Sequence, residues 1–234
     1  MIPFPYQQAG AGLLGGDVST APTDPFFANV VSLLHMDGSN GSTSFPDVKG
    51  NTWAATGNAQ VTTTSPKFGS GALLTDGTGD WIQSGPVAAY DLISSDFTIE
   101  FWVNPTAVSG LRFCFDLFTA STTGLCFYLN GTGFSLDRGS TVILAVAGVF
   151  SAGVYQHVAI TRSGNSWRVF VDGVQKGSTI TAAVALTSSQ TLRIANDKGN
   201  NFCMNGRIDD FRFTKGVARY TANFTPPAAA FPDA

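Results

Sequence analysis

The chain has 234 residues, of which 44% are hydrophobic and only 12% charged, with a formal net charge of −3. That small negative charge offers no long-range attraction to nucleic acid, and no apolar run approaches the roughly 20 residues that span a bilayer, so neither nucleic-acid binding nor membrane insertion is expected. A chain of this length suits one β sandwich and buries about 70% of its unfolded surface, enough for a full core.

Residues 1–28 stand apart as an amino-terminal arm. They hold Pro3, Pro5, Pro22 and Pro25, four glycines between positions 10 and 16, and no period of 2 or 3.6. Such a stretch cannot order itself alone, yet Phe4, Tyr6, Leu13, Leu14, Phe26 and Phe27 equip it to order against a neighbouring subunit. Its start, MIPFPYQQAGAGLLGG, lacks the basic and continuously apolar regions of a secretory signal, so synthesis and folding in a cytoplasm are expected.

From residue 29 to 234 the signals are those of one β domain. A short apolar run at 30–36 ends in the turn-rich DGSNGS at 37–42, and TDGTGD separates apolar segments at 71–75 and 81–83. Residues 97–103 alternate, with Phe97, Ile99, Phe101 and Val103 on one face and Thr98, Glu100 and Trp102 on the other. Segments at 112–119, 125–129 and 134–137, divided by STTG and NGTG, read as a meander, and 141–147 follows as a further apolar strand. SGNS joins 157–162 to 167–171 as a hairpin, and Asp172–Gly173 turns the chain into 174–180. Strands at 192–195 and 207–213 close the series, and residues 220–234 read as an extended tail strapped across a sheet. About a dozen strands, with no helix and no internal repeat, predict an all-β antiparallel sandwich.

The motifs SLLHMDGSNGSTSFPDVKG (32–50), KFGSGALLTDGTGDWI (67–82), DFTIEFWVNP (96–105), HVAITRSGNSWRVFVDGV (157–174) and GRIDDFRFTKGVARYTANFTPP (206–227) occur in that order. Together they resemble the laminin-G-like jelly-roll domains of the concanavalin A-like lectin/glucanase superfamily, over about residues 30–227. The resemblance implies a jelly roll in which the first and last strands run side by side, and a domain that binds rather than catalyses. The ending VARYTANFTPP is similar to that of domains in tailed-phage virion proteins and related bacterial surface proteins. It implies a virion-surface protein, either a capsid decoration or head-fibre protein or a tail or baseplate component. In that setting the arm would dock onto other virion proteins, a homo-oligomer is expected, and a cell-surface glycan is the expected ligand. A stand-alone carbohydrate-binding module of a bacterial surface protein is the alternative, and a glycoside hydrolase the third reading.

Three constellations bear on chemistry. Strict alternation after Ile208 would put Asp209 on the buried face with Phe211 and Phe213, and a buried carboxylate needs hydrogen bonds, a cation or a metal. With Asp37 and Asp47 from the first strand and its loop, Asp209 is a candidate ligand set for a structural Ca2+, which takes six to eight oxygens. The other reading is that backbone amides or an arginine satisfy Asp209. For acid/base catalysis, Glu100 is the sole glutamate of the chain, so the paired glutamates of laminarinase-like relatives are missing and no catalytic residue is assigned. Glu100 and Trp102 read as an exposed strand pair or as a glycan platform. Loops at 37–52, 119–124, 130–133, 139–141 and 196–205 carry the Asn, Ser, Thr, Gly and Asp side chains that meet sugar hydroxyls. Within ANDKGNNFCMNG, Asp197, Asn200, Asn201 and Phe202 form the candidate glycan site. The cysteines Cys114, Cys126 and Cys203 read as reduced core or strand residues, with a Cys114–Cys126 bridge as the alternative.

Overall fold

The structure is a computed structural model that describes residues 23–119, 123–184, 186 and 188–234. Among these, fifteen strands run β1 (Val30–Leu34), β2 (Trp53–Thr56), β3 (Gln60–Thr62), β4 (Ala72–Asp76), β5 (Trp81–Ser84), β6 (Phe97–Pro105), β7 (Leu111–Phe118), β8 (Thr123–Asn130), β9 (Gly133–Arg138), β10 (Thr141–Val146), β11 (Gln156–Ser163), β12 (Ser166–Val171), β13 (Val174–Thr181), β14 (Thr191–Ile194) and β15 (Asn205–Lys215). Two short 3-10 turns, at Phe27–Asn29 and Ala88–Tyr90, are the described helical elements. No helix among the described residues is long and apolar enough to cross a membrane.

The strands form two antiparallel sheets. The first has the order β13-β12-β11-β6-β15-β4-β3, with β1 also on β15, and the second β10-β9-β8-β7-β14-β5-β2. β15 is long enough to meet β4 through residues 205–208 and β1 through residues 211–214 along one edge while β6 takes the other. The first and last strands are therefore neighbours, as the resemblance implies. Alternation places Ile99, Phe101 and Val103 of β6 against Phe115 and Phe127 of the facing sheet, and all are fully buried. Phe101 stacks on Phe211 at 5.8 Å and meets Phe115 and Phe127 edge-on at 6.2 and 6.1 Å, geometries that aromatic rings prefer.

One irregularity in β15 changes which residues face outward. Asp209 pairs with Trp102 and Arg212 with Glu100, so the strand gains a residue between them, and Asp210 there has φ +47°. A β-bulge of this kind shifts the alternation by one. Phe211 and Phe213 remain in the core, but Asp209 moves to the opposite face beside Trp102. The expectation that Asp209 shares a face with the two phenylalanines is thus corrected by the bulge.

That outer face of the first sheet is covered. The tail lies across it: Tyr220 O accepts from Thr161 Oγ1 (3.0 Å), Phe224 N donates to Gly173 O (2.9 Å), and Phe231 N donates to Asp210 Oδ2 (2.8 Å). The ring of Tyr220 stacks on Phe224, and Phe224 and Phe231 both contact His157. Residues 1–22 of the segment read as an arm lie outside the described residues. From Asp24 the chain joins the sandwich, because Asp24 N donates to Ala234 O (2.6 Å) and its carboxylate is buried against Arg212 and Arg219. Glu100 and Trp102, expected as an exposed pair or a sugar platform, lie at 0% and 5% exposure beneath this strap. The reason is tertiary: a tail far along the chain folds back over their face.

Gly173 anchors the strap. Its φ is +74°, and a Cβ there would sit 1.9 Å from Phe224 O. Gly173→Ala therefore adds left-handed strain to a clash with backbone, and is expected to cost more than about 1 kcal/mol. Thermal melting, together with protease cleavage after residue 216, checks both the loss of stability and the loosening of the tail.

Cys114, Cys126 and Cys203 are free thiols, all buried. Cys114 packs in the core, whereas Cys126, paired with Asp116, lines the outer face of the second sheet. Neighbouring strands thus present the two sulfurs to opposite faces, which removes the bridged alternative.

Candidate functional site

With one sheet covered, the outer face of the second sheet is where a ligand can approach. β7 gains its own irregularity between Phe113 and Phe115, so Phe113 pairs with Tyr128 while Asp116 pairs with Cys126. Phe115 and Leu117 point into the core; Phe113, Asp116, Cys126 and Tyr128 line a depression of about 240 Å³ with Leu111, Asp137, Gly139, Asp197 and Phe202. Its apolar wall is a row of near-parallel rings, Tyr128 on Phe113 at 4.6 Å and Phe113 on Phe202 at 5.9 Å. Phe202 remains 37% exposed at the end of the row.

The polar wall is made of three carboxylates with different duties. Asp197 is a loop organiser: Oδ1 accepts from the amides of Asn201 (2.6 Å) and Phe202 (2.9 Å), and Oδ2 from Gly199 (2.8 Å). Short polar side chains bend the backbone in this way. Asp137 is held by Tyr128 Oη (2.8 Å) and by Ser135 Oγ. Asp116 is the exception. Oδ2 accepts from Lys198 N (2.8 Å), but Oδ1 has no hydrogen-bond partner although the residue is only 1% exposed. Burial pushes its carboxyl up to about 6, against the Lys198 amide and with the Asp197 charge adding to the rise. A buried carboxylate oxygen without a donor marks a place where a ligand can supply one.

A second depression, of about 400 Å³, adjoins along the same sheet and is lined by Ala54, Thr56, Trp81, Gln83, Ser84, Gly85 and Arg193. The Arg193 guanidinium lies 4.5 Å above the Trp81 ring and bonds Gln83 Oε1 through Nε and Nη2 (3.0 and 2.7 Å), Asp197 O (2.7 Å) and the side chain of Asn200. Arg193 therefore ties the 196–205 loop to the sheet between the two depressions.

The four loop residues expected to bind sugar fall into distinct places. Asp197 and Phe202 line the first depression, Asn200 is engaged by Arg193, and Asn201 contributes its amide to the Asp197 turn. Asp116, Asp137, Phe113 and Tyr128 were missed. A lone aspartate inside each of the largely apolar strand stretches LRFCFDLF and GFSLDR was the available signal. Of the other rim loops, residues 120–122 lie outside the described residues.

The expected calcium ligands do not form one donor set. Asp37 Oδ1 accepts from Ser70 N, Ser70 Oγ (3.0 Å) and Gly71 N (3.0 Å), and Asp209 Oδ2 from Lys67 N (2.7 Å) and Phe68 N (3.2 Å), so one loop is gripped by Asp37 from the segment after β1 and by Asp209 from β15. Asp47 is engaged elsewhere by Ser32 Oγ (2.6 Å), Leu33 N, Lys49 N, Asn51 Nδ2 and Trp53 Nε1. No cluster of three or more His, Cys, Asp or Glu side chains suited to a metal occurs among the described residues.

The family model described as concanavalin A-like lectin/glucanases superfamily (Laminin_G_3) matches residues 76–219, more than half of the chain. The chain belongs to this superfamily. No curated protein sequence matches it. Among solved structures, this lectin-like domain is similar to the botulinum neurotoxin serotype D binding domain (TM-score 0.64, 13% identity, 83% of this chain and 50% of that one). It is also similar to the serotype G binding domain (0.60, 15%, 82% and 49%). A third similar structure is titled for botulinum neurotoxin type C, whose cell entry depends upon interaction with two ganglioside molecules (0.61, 11%, 83% and 49%). The chain spans about half the length of these structures, and identities this low speak for a shared fold alone.

Proposed function

We propose that the chain is a non-catalytic lectin-like domain of a tailed-phage virion surface protein, and that it binds glycan on the outer face of its second sheet. The observation that carries the binding reading is the unpartnered, buried Oδ1 of Asp116, a residue that lines the depression beside the Tyr128–Phe113–Phe202 row. A sugar meets such a site with a hydroxyl donor and an apolar ring face. Support for the non-catalytic part comes from Glu100, fully buried and bonded to Arg212 and Tyr220, out of reach of any substrate. The virion setting is supported by the similarity of the 217–227 ending to phage virion domains. On that reading the domain sits at the virion surface, as decoration, head fibre, tail or baseplate component, the amino-terminal arm of residues 1–28 is its route to other virion proteins, and the chain forms a homo-oligomer.

A panel of immobilised oligosaccharides, probed with the wild-type chain and Phe202→Ala, tests the binding. At least one class is expected to retain the wild type, with affinity falling about tenfold in the variant as aromatic contact is lost. No retention of a folded wild type would sink the glycan reading, and cleavage of the bound sugar would replace it with hydrolysis. Labelling intact virions with an antibody against residues 30–234 tests the setting. Label on a bacterial surface instead would favour a carbohydrate-binding module of the host.

A further inference from the structure

The two depressions of the second sheet differ in charge, and the difference bears on which sugar fits. Around the first, the carboxylates of Asp116, Asp137 and Asp197 stand against the cations Arg193 and Lys198. Arg193 is occupied: Gln83, Asp197 O, Lys198 O and Asn200 take its N–H groups, and its plane is packed on Trp81 and Phe118. Lys198 makes no ion pair with these carboxylates. Arg112 donates to Cys203 O (3.4 Å), and Arg138 lines a separate depression with Thr141, Val142 and Ile180. The first depression thus presents negative charge and acceptor oxygens to a ligand, with no free cationic side chain among its lining residues.

Within it, Asp137 and Asp197 already receive two and three hydrogen bonds respectively, so the open acceptor is Asp116 Oδ1. A hydroxyl would donate one hydrogen to it. An ammonium would also donate one, keep two further donors for other acceptors, and bring the opposite charge into a site where burial weakens screening. The rings of Phe113, Tyr128 and Phe202 add faces and edges suited to the carbon skeleton of a pyranose and, at Phe202, to a nearby cation. A uronic or sialic acid would instead set its carboxylate against Asp116 and Asp197.

We propose that this depression selects amino sugars, glycans bearing a free protonated amine, over neutral and acidic sugars. The inference rests on the glycan-binding reading and specifies its substrate class.

The test compares three oligosaccharides of equal length by isothermal titration at pH 6.5: a glucosamine oligomer, its fully N-acetylated counterpart, and a galacturonic acid oligomer. The first two differ in the charge and bulk of one group. The glucosamine oligomer is expected to bind about tenfold or more tightly than the N-acetylated one, and the acidic one not measurably. In Asp116→Asn the ratio of the first two affinities is expected to fall toward 1, whatever their absolute values. In the wild type the same ratio is expected to shrink from low to high salt, a readout that does not depend on how the variant folds. Equal binding of the amine and acetamide oligomers, or tightest binding of the acidic one, would overturn amine selection while leaving glycan binding intact. A folded wild type that binds none of the three and none of the wider panel would remove the glycan reading itself, and this proposal with it.

Discussion

Arg212→Ala is expected to lose about 3–5 kcal/mol of folding stability, because it breaks a buried ion network from its centre. The guanidinium donates to Glu100 Oε1 through Nε (3.0 Å) and Nη2 (2.8 Å) and to Asp24 Oδ2 through Nη1 (3.0 Å), while Phe231 of the strap packs on its face at 3.8 Å. Arg219 donates to both oxygens of Asp24 (2.8 and 2.7 Å), and Tyr220 Oη donates to Glu100 Oε2 (2.9 Å). Two carboxylates and two guanidiniums therefore neutralise each other under the tail. Burial alone would raise the Glu100 carboxyl, yet Arg212, His157 and Arg219 hold it down at about 2. Removing Arg212 leaves Glu100 desolvated, with Arg219 3.7 Å away as its nearest remaining guanidinium and His157 at 3.4 Å. Urea denaturation would read the loss, and for a chain of this size each kcal/mol lowers Tm by about 2–4 °C. Arg212→Lys keeps the charge but not the fork, so it should fall between the two. A loss under about 1 kcal/mol for Arg212→Ala would mean that the network does not hold the strap.

The second large effect is a stability maximum on the acid side of neutrality. Burial pushes the carboxyls of Asp116 and Asp209 up, to about 6 and about 7. For an acid with a raised folded pKa, the folded state binds more protons than the unfolded one. The penalty is absent below the ordinary carboxylate value near 3.8, grows from there up to about 6 and 7, and is complete above them. His35 adds a loss at higher pH. Its Nδ1 lies 2.7 Å from Asp210 and its Nε2 2.7 Å from Asp233 of the tail, and the Asp210 bond, against burial and with Asp233, lifts it to about 9. That clasp contributes fully below about 6.5 and is lost as pH climbs through 9. At the acid end the sign reverses: Glu100, held low, contributes above 4.5 and loses its contribution as pH falls toward 2, and Asp24, also lowered, acts in the same sense. Stability should therefore peak at about pH 4 and decline by several kcal/mol toward pH 9. Melting across this range checks it, and the Asp116→Asn/Asp209→Asn double variant should flatten the segment from pH 5 to 8. Stability that rises between pH 5 and 8 in the wild type would contradict the assignment of buried, raised carboxyls.

The strand series was legible in the sequence because alternation, glycine turns and hairpin signals are local. The thirteen expected segments overlap strands β1 and β4–β15, while the short β2 and β3 carried too little period to be seen. The family motifs supplied the order of neighbours, β1 beside β15 among them. Side-chain orientation was another matter. A single extra residue at Asp210 in β15 put Asp209 on the opposite face from Phe211, and no periodicity within FRF or IDD records that insertion. Whether Glu100 faced water depended on a tail more than 100 residues later folding over it, a contact decided by the packing of Tyr220, Phe224 and Phe231. The candidate site divides the same way. Its loop could be found from composition, because Asp197 and the asparagines bend their own backbone. Asp116 and Asp137 sit on separate strands of one sheet, and only pairing with β8 brings them to a single depression. Local propensity is written residue by residue along the chain. Face, cover and convergence belong to contacts between residues far apart in it, and these the tertiary structure alone decided.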